Sequence, residues 1–438
     1  MLSIYEEEFE VPAVANHAGL LGHLRTQVLA RLRDDTLPVR LTIPETTSSA
    51  YQCELGVISE PPRPAARRPG SIFDFQARAS EDCGAFNTVL LIPTGIGSEL
   101  GGHAGDANVA ARLLAAASDR LITHPNVVNA SDLNELPENG LYVEGSIIAR
   151  LLMGTIGLQP VRANRVLVVL DRHPDSYFSD MVINSVNAAR ASFGLDATEI
   201  VMLDPPVRLE ALYASSGRAV GRVERLDGLM RLLAERQGSY DAVAISTQIE
   251  MPASYHKDYY VARGEMINPW GGVEAIFTHA LSSLYDIPTA HAPMEASREV
   301  SNQDLGVVDP RMAAEAISNA YFMCVLKGLQ RAPRIIRDIS PSPPPGVLTA
   351  AHVSCMVIPV GCVGIPTLAA LEQGIPVIAV RENRNIMKND LQALPWRRGQ
   401  LHMVENYWEA IGVMTALKAG VDPAGVRRPL AETRYIRT

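Results

Sequence analysis

The sequence predicts an α/β protein: doubly wound, mostly parallel sheets in two Rossmann-like lobes, with a small N-terminal α+β segment. Three features carry that expectation. Runs such as Val166-Leu167-Val168-Val169-Leu170 are apolar at every position, as in strands of a parallel sheet covered on both faces. They alternate with amphipathic stretches, the pattern of strand–helix–strand units. A glycine-rich turn follows one of them at Thr94 and leads into a helical pattern at Asn108.

Taken in order, the spacing predicts a helix within 18–33 and strands at Val39–Ile43 and Cys53–Ile58. Further strands are expected at Thr88–Ile92, Arg165–Leu170, Glu199–Leu203, Ala242–Ile245, Ala275–Thr278, Cys355–Val360 and Pro376–Val380. Helices are expected at Asn108–Ala117, Ser179–Ser192, Leu226–Arg236, Arg311–Leu329 and Ile365–Glu372. Two proline-rich stretches, Pro61–Gly70 and Ser340–Gly346, exclude helix and central strand and read as linkers. They suggest three parts: 1–70, an α+β segment; 71–340, the main domain; and 341–438, a C-terminal lobe.

Composition narrows the function. A content of 47% hydrophobic and 20% charged residues is that of an ordinary globular chain, not a disordered one. The net charge of −9 argues against nucleic acid or an anionic membrane as partner, since phosphate backbones need concentrated Lys and Arg. No apolar run approaches the roughly 18–20 residues of a membrane span. The opening Met1-Leu2-Ser3-Ile4-Tyr5-Glu6-Glu7-Glu8 is acidic where a secretory signal is basic. Five cysteines without a CxxC pair read as reduced thiols. The expected location is the cytoplasm, and a homodimer is the commonest symmetric assembly.

Three constellations carry chemistry. The first is Thr94-Gly95-Ile96-Gly97 through Gly101-Gly102-His103-Ala104-Gly105-Asp106, between a strand and a helix start. Glycines there let backbone N–H groups approach an oxyanion, so Thr94, Gly95, Gly97, Gly101, Gly102, His103 and Asp106 are candidate substrate-binding residues. The bland alternative is a tight loop with Asp106 as a helix cap. The second pairs Thr123-His124-Pro125-Asn126 with Thr278-His279, each read as a strand end, where open α/β sheets bind ligands. Asn126, Asn129 and Glu144 extend the first group and His291 the second. His124 and His279, with Glu144, are candidate acid and base. The alternative that weighs slightly more is interior histidines satisfied by backbone, and a further one is a divalent metal held with Asp106 or Glu144. No motif implies a cofactor.

The third is Gly361-Cys362-Val363-Gly364, a turn before a helix whose dipole would lower the Cys362 thiol pKa. This turn is similar to the Gly-Cys-Thr turn of aspartate/glutamate racemases, which implies a proton-moving thiol. Those enzymes carry a second cysteine at the first strand's end, where this chain has Pro93-Thr94-Gly95. The stretch Glu372–Asn383 resembles the nucleotide-sugar lobe of two-domain epimerases and transferases, which implies a ribose-binding carboxylate before the strand; Glu382 and Asn383, at the strand's polar end, are candidate substrate-binding residues.

Residues from about 85 to 425 resemble the bacterial domain of unknown function 3326 family. The resemblance rests on Pro93-Thr94-Gly95-Ile96-Gly97, Gly102, Ala104-Gly105-Asp106, Thr123-His124-Pro125-Asn126, Tyr142-Val143-Glu144-Gly145, His291-Ala292-Pro293, Glu382-Asn383 and Glu409-Ala410-Ile411-Gly412-Val413. It implies no reaction, and leaves the first eighty residues as an added segment. The expected function is therefore an enzyme acting on a small carboxylate- or phosphate-bearing metabolite, by isomerase or lyase proton transfer. The alternatives are a nucleotide-sugar enzyme and a non-catalytic metabolite-binding or assembly protein.

Overall fold

The computed structural model describes residues 2–61, 70–318, 320–339 and 343–437. The linkers expected from proline content fall largely outside these residues, at 62–69 and 340–342. The chain opens with β1 (Ser3–Pro12), α1 (Leu20–Leu29), β2 (Thr36–Thr46) and β3 (Ala50–Ser59). It continues through β4 (Asn87–Leu90), α2 (Asn108–Ala116), β5 (Arg120–Thr123), β6 (Gly140–Tyr142) and α3 (Gly145–Leu152). Next come β7 (Val166–Asp171), α4 (Ser176–Phe193), β8 (Ile200–Leu203), β9 (Arg208–Tyr213), β10 (Ala219–Glu224) and α5 (Asp227–Glu235). After β11 (Ala242–Glu250) lie α6 (Tyr255–Val261), α7 (Gly271–Tyr285), β12 (Thr289–Met294), the single turn α8 (Ala313–Ala316) and α9 (Met323–Gln330). The last stretch holds β13 (Val353–Pro359), β14 (Val363–Gly364), α10 (Ile365–Gln373), β15 (Val377–Val380), β16 (Leu401–Val404) and α11 (Tyr407–Lys418).

Two sheets organise this mixed α/β chain. The smaller is six-stranded and parallel throughout, in the order β16-β15-β13-β4-β5-β6. Strands from both sides of residue 341 share it, so the expected boundary there runs through one sheet. Chain order reverses between β4 and β13, and the crevice beyond the carboxyl ends of such a pair is where open α/β sheets take ligands. The larger sheet has ten strands, in the order β8-β7-β11-β9-β10-β1-β3-β2-β14, with β12 also beside β11. Its β8-β7-β11-β12 part is parallel, but β9, β10, β1, β3, β2 and β14 run antiparallel to one another. That half corrects the expectation of mostly parallel sheets: Tyr5-Glu6-Glu7-Glu8 hid β1, whose Ile4 and Val11 are buried while much of its acidic side faces out.

Two expected elements change type. Ala275–Thr278 is not a strand but the middle of α7. Val273, Ile276, Phe277, Ala280, Leu281 and Leu284 recur at helical spacing and all are buried, because α7 lies against the larger sheet. Contact is close: a Cβ on Gly272 would sit 2.3 Å from the Ala219 backbone. The helix expected over Arg311–Leu329 breaks into α8 and α9. Asp132 causes the break, since its Oδ1 accepts the Phe322 and Met323 amides at 3.1 Å each and starts α9 afresh.

Candidate functional site

The carboxyl ends of both sheets open into one cavity of about 590 Å³, a volume suited to a metabolite-sized ligand. The smaller sheet contributes Pro93 and Thr94 after β4, His124 after β5, Glu144 after β6 and Cys362 after β13. The larger sheet contributes Gln248 and Glu250 of β11, His291 of β12 and Arg40 of β2. Helix α7 forms a wall with Gly271, Glu274, Thr278 and His279 along one stripe.

Glu144 is the centre of one cluster. It is 4% exposed, caps α3, accepts the Ser146 amide at 2.9 Å and also binds the Ser146 hydroxyl. Its other oxygen meets Nδ1 of His279, which reaches across from α7. Burial alone would raise the Glu144 pKa, but His279 and the Ser146 hydrogen bonds hold it below the usual carboxylate range. His124 stands close enough to feel both charges, yet burial lowers its pKa to about 4. Its Nε2 accepts the Ile92 amide at 3.0 Å, so the neutral ring carries its proton on Nδ1. A carboxylate-oriented imidazole beside a neutral imidazole is an arrangement that can take a proton and give one.

Two more imidazole–carboxylate pairs face the same space. His291 Nδ1 lies 2.9 Å from Glu274 and its Nε2 lies 2.9 Å from Thr247. His256 Nε2 is 3.5 Å from Glu295; burial opposes its protonation, but Glu295 raises its pKa overall. Arg40 and Arg218 complete the wall, both paired with Glu6, and Arg218 also with Glu54. Sequence reading missed Glu274, His256, Glu295, Glu315, Arg40 and Arg218. Recognising α7 from its apolar period would have put Glu274 and His279 on one stripe; the others carry no local signal.

Several expected residues have other duties. The glycine-rich loop does not present a bare amide cradle: the amides of Glu99, Leu100, Gly101 and Ala104 donate to Arg384, Asn383, Asp106 and Glu315. Gly101 and Gly105 have φ of +87° and +92°, and a Cβ would strike Ile92 at 2.6 Å and Ala130 at 2.1 Å. Their glycines therefore solve turns and close packing. Gly95 packs likewise on Ala219, while Gly97 and Gly102 line a small outer pocket with His103. Of the loop's expected binding residues only Thr94 reaches the main cavity. Asp106 braces Gly101 instead of capping α2, which starts at an uncapped Ala107, and burial raises its pKa to about 7.

Asn126 lines the cavity but donates to the Ile92 and Gly101 carbonyls, and Asn129 to the Tyr142 hydroxyl. Asn383 clamps Leu100 through both its amide atoms, and Glu382 is exposed away from the cavity. Thr278 bonds back to the Glu274 and Ala275 carbonyls. The Cys362 thiol faces the cavity, but burial pushes its pKa up, so desolvation outweighs the α10 dipole. Among the described residues no three His, Cys, Asp or Glu side chains gather as a metal site.

Comparison with known proteins shows the family but not the chemistry. Residues 87–427 match the family described as protein of unknown function DUF3326. The chain belongs to that family. A relative from Synechococcus sp. called an uncharacterized lipoprotein is 34% identical over 346 residues, 78% of this chain and 93% of its own length. No solved structure matches the chain significantly. Among the described residues no helix is long and apolar enough to cross a membrane. The DUF3326 match begins at residue 87, so Arg40 reaches the cavity from outside it, braced by Glu6.

Proposed function

We propose that this DUF3326 protein is an enzyme that moves a proton on a small metabolite, in the isomerase or lyase class. The observation that carries the reading is the Glu144–His279 pair beside neutral His124 in one cavity. His279, oriented by Glu144, is the base that takes a proton from carbon. His124 Nδ1–H is the donor that polarises or protonates an oxygen. Arg40, on the cavity wall, is the guanidinium that meets a carboxylate or phosphate, a task first assigned to the loop amides, while Arg218 is held by Glu6 and Glu54. We read the six-stranded sheet as the Rossmann-like, doubly wound element of the fold, with the site at its switch point. The cytoplasm is the location we propose, tested by cell fractionation; recovery with membranes would sink it.

The test is a thermal-shift screen of metal-stripped protein against small carboxylates, phosphorylated metabolites, nucleotide sugars and divalent metals. A ligand at a hundred times its Kd stabilises by about 2.7 kcal/mol. Each hit is then incubated in D₂O and followed by NMR. Deuterium entry at carbon, abolished in His279→Gln while the thermal shift persists, supports the proposal. Binding without deuterium entry or product would favour a metabolite-binding protein, and a response confined to nucleotide sugars would favour that class of enzyme.

A further inference from the structure

The glycine-rich loop has a different product. Its His103 lies at the small outer pocket beside Ser98, Glu99 and Arg311, not at the main cavity. His103 Nδ1 is 2.7 Å from the Tyr259 hydroxyl, and that hydroxyl donates to Glu315 Oε2 at 2.8 Å. Glu315 lines the main cavity. Three buried polar groups thus link the two pockets by two unbroken hydrogen bonds. The surroundings fix the chain: Glu315 Oε1 takes the Ala104 amide and Asn268 Nδ2, the latter at 3.1 Å, leaving Oε2 to Tyr259. Tyr259 packs edge-on against Trp270 and Tyr260.

We propose that His103, Tyr259 and Glu315 form a proton relay between the outer pocket and the main cavity. A proton from solvent binds His103 Nε2, the Nδ1 proton passes to Tyr259 Oη, and the Tyr259 proton passes to Glu315 Oε2. One proton enters and one arrives; His103 ends as its other neutral tautomer, Tyr259 stays a phenol, and only the Glu315 carboxylate is neutralised. Once Glu315 has given its proton to the cavity, a flip of the His103 ring, which again presents an N–H to Tyr259, and rotation of the Tyr259 hydroxyl back towards Glu315 reset the chain.

The electrostatics suit each role. Burial holds the His103 pKa down at about 4, with Arg311 adding to the effect and Asp309 opposing it, so the ring is neutral between transfers. Burial raises Glu315 to about 7, with Glu274 adding repulsion against the Ala104, Tyr259 and Asn268 hydrogen bonds. Asp106, itself raised by burial and by Glu315, and Glu99, paired with Arg311 at the outer pocket, also face this cluster. Burial keeps Tyr259 far from ionisation, so it passes protons only by exchange. The relay goes beyond the proposed reaction and rests on no substrate, so its test is separate.

Full-length protein at pH 8 is mixed with a photolabile caged acid, and carboxyl protonation is followed by microsecond infrared spectroscopy after the flash. Loss of a C=O band in Glu315→Gln assigns that band to Glu315. The relay requires Tyr259→Phe and His103→Leu each to slow its appearance at least tenfold, while Tyr260→Phe leaves it unchanged. Should Tyr259→Phe fail to fold, His103→Leu, which leaves the Tyr259–Glu315 bond in place, carries the test. Rates unchanged in His103→Leu overturn the relay, as does the absence of any Glu315 band at pH 5.

Discussion

Two clusters in the cavity wall, near enough for Arg40 to feel the Glu144 charge, use the same material, buried carboxylates facing buried cations, and do different things with it. In one, Arg40 and Arg218 are matched by Glu6 and Glu54. A guanidinium does not surrender its proton under ordinary conditions, so that cluster holds fixed charge and shapes the wall. In the other, the cation's place is taken by His279 against Glu144, with His124 beside them. An imidazole, unlike a guanidinium, can take up and release a proton, so the same pairing becomes a proton acceptor. What separates scaffold from chemistry here is whether the partner can titrate.

Breaking the fixed cluster gives the largest expected effect. Arg218 is 2% exposed, and Arg218→Leu strands Glu6 and Glu54 with half their countercharge. Removing one partner of a buried ion pair costs about 3–5 kcal/mol, so chemical denaturation should show a large loss of stability. In the other cluster His279→Gln should lower turnover about 100-fold or more, the usual scale for removing an acid–base group, and cost less stability than Arg218→Leu, since an amide can still hydrogen-bond Glu144. If His279→Gln destabilises as much as Arg218→Leu and spares turnover, the contrast between the clusters collapses.

Titration sharpens the comparison. Glu144 has a depressed pKa, so its contribution is present above the unfolded value near 4.3 and is lost as pH falls below it. Asp106 and Glu315 are raised to about 7, so their contribution runs the other way: it is full below pH ~4 and is lost as pH rises towards 7. Tm should therefore fall from pH 5 to pH 7.5 on their account, and Asp106→Asn should flatten that slope. The smallest effect belongs to Cys362→Ala, expected to cost about 1 kcal/mol or less and to change turnover less than twofold. A loss of turnover like that of His279→Gln would restore the thiol as a catalytic residue.

Much of the site was legible because it depends on local pattern. Strand ends followed by polar residues placed His124 and Glu144 correctly, and His279 reached the same cavity although its element was misread. A short apolar run such as Ala275–Thr278 suits a strand until Val273, Ala280, Leu281 and Leu284 are counted with it. The glycine loop misled for another reason: positive φ and amide exposure use the same residue, and only tertiary contacts reveal which applies. Arg40, Arg218, Glu6 and Glu54 were illegible, since their pairing joins β1, β2, β3 and the turn before β10 across the sheet.

The position of β1 has a consequence for handling the protein. It lies between β10 and β3, and Leu2, Ile4, Val39 and Ile58 share a core with Val223, Ile249 and Phe277. Expressing only the family-matched part would bare that apolar face and leave β10 as an open edge, the kind of surface that recruits other chains into aggregates. The strands that precede the family match would thus act as a built-in solubility guard for the matched part of the chain.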